Sequence, residues 1–181
     1  MLYILRLSGT VRGVTQIDNK LFLVFDRHTR FSCCVSACDI RTFSLLSEMT
    51  VQDLRAPLAM VACRDDRQLY IAESCCIWRV SATDTDEYGR WLNTDQTLDT
   101  FNVHSLSLTS RRLLVTSLDP PSLHEYSTTD RQLLRVVQLP GYVRKLYHGV
   151  ETKRGRVVIS HQGTSRNEDQ DAVSDPFRFS T

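Results

Sequence analysis

Four short apolar segments recur along the chain: Leu21-Phe22-Leu23-Val24-Phe25, Leu69-Tyr70-Ile71-Ala72-Glu73, Leu113-Leu114-Val115-Thr116-Ser117 and Val157-Val158-Ile159-Ser160-His161. Their starts lie 48, 44 and 44 residues apart. Runs of this length bounded by polar residues suit buried strands better than helices. Seven residues before each start stands Val14, Ala62, Leu106 or Val150, an apolar column that predicts a preceding strand. Between the two lie turn-prone residues: Asp18-Asn19-Lys20, Arg64-Asp65-Asp66-Arg67, Thr109-Ser110-Arg111-Arg112 and Lys153-Arg154-Gly155. Strand, polar turn, strand is a hairpin.

Third strands follow in the middle repeats as Ile77-Trp78-Arg79-Val80-Ser81 and Leu123-His124-Glu125-Tyr126-Ser127. Fourth strands follow as Tyr88-Gly89-Arg90-Trp91-Leu92 and Leu133-Leu134-Arg135-Val136-Val137. In the first repeat, Phe31 to Val35 and Phe43 to Met49 fill the same places. Helix competes over Thr42 to Leu54, but Pro57, Pro120-Pro121 and Pro140-Gly141 fall between repeats and favour loops. A recurrence of about 44 residues with four strands each predicts an all-β, β-propeller-type array of four-stranded antiparallel blades. The blades are expected near 11–54, 55–101 and 102–142, with the first hairpin of a fourth at 143–163 and a polar C-terminal tail at 164–181. A β-sandwich also uses short strands, yet it has no need of internal similarity.

The run Pro57-Leu58-Ala59-Met60-Val61-Ala62, followed by Leu69-Tyr70-Ile71-Ala72-Glu73 and Ile77-Trp78-Arg79-Val80, resembles an NHL-type repeat. That repeat has a proline-led first strand, an "lyVAD" second strand and an "I.r." third. Glu73 stands where the repeat usually has Asp, and Gln68 where a glycine is common. The resemblance implies a six-bladed ring and a recognition platform for proteins or RNA. At about 44 residues a blade, such a ring needs on the order of 260 residues. Three and a half blades therefore form an incomplete ring, expected of a fragment, an isoform or a subunit completed by another chain. Uncovered blade edges then invite self-association.

Composition adds little to this picture. With 22 Lys and Arg against 21 Asp and Glu, no global field draws the chain to a polyanion. The apolar start at Met1 to Gly9 has no basic n-region, and no stretch approaches the length of a membrane span, so a cytoplasmic location and no membrane partner are expected. Cys33-Cys34, Cys38, Cys63 and Cys75-Cys76 lack the spacing of a zinc site and read as reduced thiols.

Candidate chemistry lies in one further column. His104 and His148 each stand nine residues before a second-strand start, with Arg12 and Met60 at the same offset in the other repeats. Equivalent repeat positions share a radius, which places Arg12, Met60, His104 and His148 at one rim, with Arg144 and Tyr147 beside the last. The competing account is that these residues merely end their strands. A triad of Ser107 or Ser117 with His104 and Asp119 lacks a nucleophile elbow. The resemblance also extends to propeller lactonases, which bind calcium in the channel, but this rim offers a poor set of oxygen ligands. The sequence thus points to a non-enzymatic module without a cofactor that binds a protein through its rim. RNA is the alternative partner, and a degenerate lactonase-like enzyme the alternative activity.

Overall fold

The computed structural model describes residues 9–26, 32–84, 87–93, 102–109, 111–140, 142–143, 145–152 and 154–162. The tail expected at 164–181, and the candidate Arg144, lie outside these residues. Every regular element described is a strand. The first blade is β1 (Thr10–Ile17), β2 (Lys20–Asp26), β3 (Ser32–Asp39) and β4 (Leu45–Gln52). The second is β5 (Ala59–Cys63), β6 (Gln68–Glu73), β7 (Cys76–Ser81) and β8 (Tyr88–Asn93). The third is β9 (Val103–Thr109), β10 (Arg112–Leu118), β11 (Pro121–Ser127) and β12 (Leu133–Gln138). A hairpin of β13 (Lys145–Glu151) and β14 (Val157–Gln162) follows. Strand order within each sheet is sequential and all pairing is antiparallel. Over 42–54 the helical alternative gives way to β4, where Met49 and Val51 alternate with exposed neighbours as a half-buried strand requires.

The first strands of successive blades are neighbours in space: β1 lies against β5, β5 against β9, and β9 against β13. Each blade packs face to face on the next through its second strand. Phe22 and Val24 of β2 meet Leu69 and Ile71 of β6 in one core, joined by Met49, Val51, Trp78 and Val80. Tyr70 and Ala72, on the other face of β6, meet Leu113 and Val115 of β10 in a second core. Trp91 wedges there edge-on between Tyr70 and Tyr126, with ring centroids 5.1 and 6.1 Å away. Leu114 and Leu123 meet Val157 and Ile159 in a third, smaller core. The central residues of β2, β6 and β10 are buried on both faces, which is why their apolar runs stand out in the sequence.

Turn lengths differ between the four inner hairpins. Ile17 faces Lys20 and Thr109 faces Arg112 across two-residue turns. Cys63 faces Gln68 across four residues and Glu151 faces Val157 across five. Asp18, Arg67 and Arg111 take left-handed conformations in these turns, with φ of 52°, 50° and 66°. Two ion pairs link neighbouring turns: Arg67 to Asp18 at 2.9 Å and Arg111 to Asp65 at 3.9 Å.

Candidate binding face at the inner strands

The unequal turns rearrange the column read from the sequence. Counting from the start of each second strand crosses two, four or five turn residues, so a constant offset does not mark a constant place in the sheet. By pairing, Val14, Met60, Leu106 and Gly149 are equivalent, each opposite the third residue of its second-strand segment. Gly13, Ala59, Ser105 and His148 form the next row. Met60 therefore does not share a place with Arg12, nor His148 with His104. Met60 is only 6% exposed and belongs to the first inter-blade core.

Beyond that row the register slips in three of the four inner strands. The slips leave out Arg12, His104 and Tyr147, so each is the extra residue of a β-bulge. Leu58 precedes Ala59 at the same level, its amide donating to the Ala72 carbonyl at 2.9 Å. Arg12, Leu58, His104 and Tyr147 thus make the row that the structure brings together. Leu58 and Tyr147 are 42% and 43% exposed. A bulge aims an extra side chain away from the ladder, which is how an inner strand presents a residue that its pairing does not hold.

Two contacts join the third blade to the hairpin within these rows. The rings of His104 and Tyr147 lie 6.0 Å apart, inclined at 57°. In the neighbouring row, Ser105 Oγ hydrogen-bonds His148 Nδ1. One turn deeper, Ser107 Oγ donates to the Gly149 carbonyl at 2.6 Å. At the opposite end of the face, Arg12 is held by Asp26 through Nε and Nη2, at 3.1 and 3.0 Å. Sequence reasoning missed Ser105 and Leu58, because neither stands at the nine-residue offset.

An open cavity of about 490 Å³ lies between the inner strands. It is walled by Arg12 to Thr15, Leu58 to Ala62, Ser105 to Leu108 and His148. Close approach of the strands is set by Gly13, where an added Cβ would come within 2.8 Å of the Met60 Cβ. None of the lining residues carries a carboxylate, so oxygen ligation of calcium lacks its donors in this wall. Ser105 and His148 form a nucleophile-and-base pair in outline. Among the described residues, no carboxylate is recorded that orients the imidazole as a triad requires.

Neither a family profile nor a curated protein matches the chain. Solved structures do. The Dos1 propeller aligns with a TM-score of 0.63 at 6% identity, over 82% of this chain and 38% of its own. The Cps50 (Swd1) β-propeller domain of Myceliophteria thermophila aligns with a TM-score of 0.62 at 12% identity, over 84% and 49%. The fold is that of a β-propeller. The computationally designed Ika4 protein also aligns, with a TM-score of 0.59 at 11% identity, over 87% of this chain and 94% of its own. The chain thus spans less than half the length of the Dos1 and Swd1 chains and nearly all of the designed one. The NHL resemblance narrows to this broader class, since the likeness at these identities is one of fold.

Proposed function

We propose that the chain is a non-enzymatic recognition module that binds a protein at the inner-strand rim. The observation that carries this reading is the bulge row: Arg12, Leu58, His104 and Tyr147, a cation, an aliphatic and two rings, brought to one level of successive inner strands, where Arg12 and Leu58 also line the open cavity. Tyrosine and arginine on a rigid rim are among the groups that dominate interface energy, and an exposed leucine between them excludes water. RNA is less well served at this face, because four arginines of the inner strands, their turns and β10 are committed to carboxylates. Arg12 pairs with Asp26, Arg67 with Asp18, Arg111 with Asp65, and Arg112 with Glu125. Phosphate binding would have to displace these carboxylates. A cytoplasmic setting belongs to the same proposal.

The test is affinity purification with the wild-type chain and with a His104→Ala/Tyr147→Ala variant. A protein partner retained by the first and lost by the second, at an unchanged melting temperature, is the expected result. Retention of the partner by the variant overturns the rim reading. Salt-titrated binding of homopolymer RNA at micromolar affinity, sensitive to Arg12→Ala, would shift it to nucleic acid.

A further inference from the structure

The hairpin β13–β14 differs from the other three sheets in one respect that bears on partners. In each full blade the outer edge of the second strand is covered by a third strand: β3 on β2, β7 on β6, β11 on β10. Among the described residues, no third strand pairs with β14. Among the described residues, the face of β14 that would meet a following blade is open as well. Val158 stands where Phe22, Tyr70 and Leu114 stand in their segments; those are 4%, 1% and 1% exposed, and Val158 is 57% exposed. Ser160, His161 and Gln162 are exposed as well.

An open strand edge is a template for another strand, and proteins blunt such edges with lysine, proline or a bulge. The six residues of β14, Val157 to Gln162, include no proline, glycine or charged residue. Charge appears only at its start, where Arg156 and Arg154 are exposed and no ion pair is recorded for either among the described residues.

The third blade shows what fits such an edge. There the residue just before the apolar segment is Arg112, the counterpart of Arg156. Its Nη1 holds the Oε1 of Glu125 on the third strand at 2.9 Å. Glu125 is itself opposite Leu114, the counterpart of Val158. The first blade repeats the sign: Lys20 lies opposite Asp39. On the alternate positions, the third strand offers Trp78 and Val80 in the second blade and Tyr126 in the third to the preceding inter-blade core.

We propose that β14 is a docking edge for an extended segment of a partner protein, added antiparallel as a third strand. The segment carries apolar side chains at alternate positions and a carboxylate on the intervening face. The apolar side chains enter beside Val157 and Ile159. The carboxylate lies across from Val158 and pairs with Arg156, as Glu125 does with Arg112. The backbone ladder supplies affinity, and the alternation with its one charge supplies register. This surface is separate from the inner rim, and neither proposal depends on the other.

The probe is a fluorescein-labelled peptide of sequence Pro-Ser-Leu-Val-Glu-Tyr-Ser, which copies β11 with valine in place of its histidine so that Val and Tyr fall opposite Ile159 and Val157, titrated into the full chain and followed by anisotropy. Binding below about 1 mM is expected, as for a short strand without pre-organisation. Replacing the peptide's Glu by Lys should weaken it about threefold or more, the scale of an exposed ion pair. Arg156→Glu should do the same to the original peptide and should restore the Lys peptide. Hydrogen exchange should show new protection in β14 when the peptide is bound. Absence of binding, or binding indifferent to both charge reversals, overturns the proposal. So does protection of β14 in the free chain, which would make the occupant its own polypeptide. A concentration-dependent dimer with protected β14 would make it a second copy, and overturns the proposal equally.

Discussion

Glu73 ends β6 almost buried and gathers four donors: Trp78 Nε1 at 3.1 Å, Cys76 Sγ at 3.3 Å, and the amides of Arg55 and Ala56 at 3.2 and 3.4 Å. It therefore ties the connection entering the second blade to strand β7. Burial by itself would raise its pKa, but the four donors outweigh burial and hold the carboxyl below its usual value of 4.5. A depressed folded-state pKa contributes stability that is present above the unfolded value and is lost as pH falls through the folded one. Glu73→Gln should cost about 2 kcal/mol near neutral pH, since the amide leaves donors imperfectly met. In urea titrations the gap between the two proteins should narrow below about pH 4; a gap unchanged to pH 3 would sink this account. The same carboxylate bears on the thiols. Burial, then Asp26 and Glu73, pushes Cys33 up to about 11, and burial followed by Glu73 raises Cys76. Cys75 alone is exposed. One adduct from iodoacetamide in the native protein at pH 8, and six in denaturant, is the expected mass spectrum. The sequence marks Glu73 only as a departure from Asp, and nothing in it reveals the four donors, which converge from two separate backbone segments.

At the scale of strands, buried-face patterning made the second strands readable, and their third and fourth partners followed from spacing. The inner-strand rows were not readable by offset. Turn length and bulge position decide which residues are neighbours, and both are set by backbone pairing rather than by apolar periodicity. Val14 and Leu106 hold the place that counting assigns because their hairpins share a two-residue turn; Ala62 and Val150 do not. The same pairing explains Gly13. An alanine there would press on the Met60 Cβ, backbone-linked and unable to swing aside, so Gly13→Ala should cost about 1–3 kcal/mol in denaturant unfolding. The third blade and the hairpin are joined differently, by Arg112. It reaches Glu125 at 2.9 Å and Glu151 at 3.6 Å, both carboxylates almost fully buried. Arg135 also holds Glu125, so the loss falls on Glu151 when Arg112 is removed. Arg112→Met should destabilise the hairpin by about 1–3 kcal/mol, less than a fully buried pair because the guanidinium is partly solvated. Pairing that change with Glu151→Gln should recover part of the loss, and a double variant no better than the single one would refute the assignment.

Across the whole molecule, the three inter-blade cores are unequal, and that inequality sets where the array opens. Among the described residues, the core between the first two blades joins fifteen buried residues, the next ten and the last four. A stacked array is stabilised by its repeats and by the interfaces between neighbours, with no contact that spans the whole. Strands β6, β7 and β10 are covered on both faces, whereas the hairpin has one small core behind it and exposed side chains in front. Local opening free energies follow buried apolar contact, so the hairpin should open without the blades before it. Native-state hydrogen exchange is expected to give the lowest protection in β13 and β14, intermediate values in β9, and the highest in β6 and β7. Leu114→Ala removes a fully buried leucine from the core under the hairpin and should lower protection in β13 and β14 by about 2 kcal/mol or more, while β2 and β6 change little. Uniform loss from every strand would mean that the blades unfold as one unit. In that case the stability of the hairpin is borrowed from the whole array, and its small core is not what limits it.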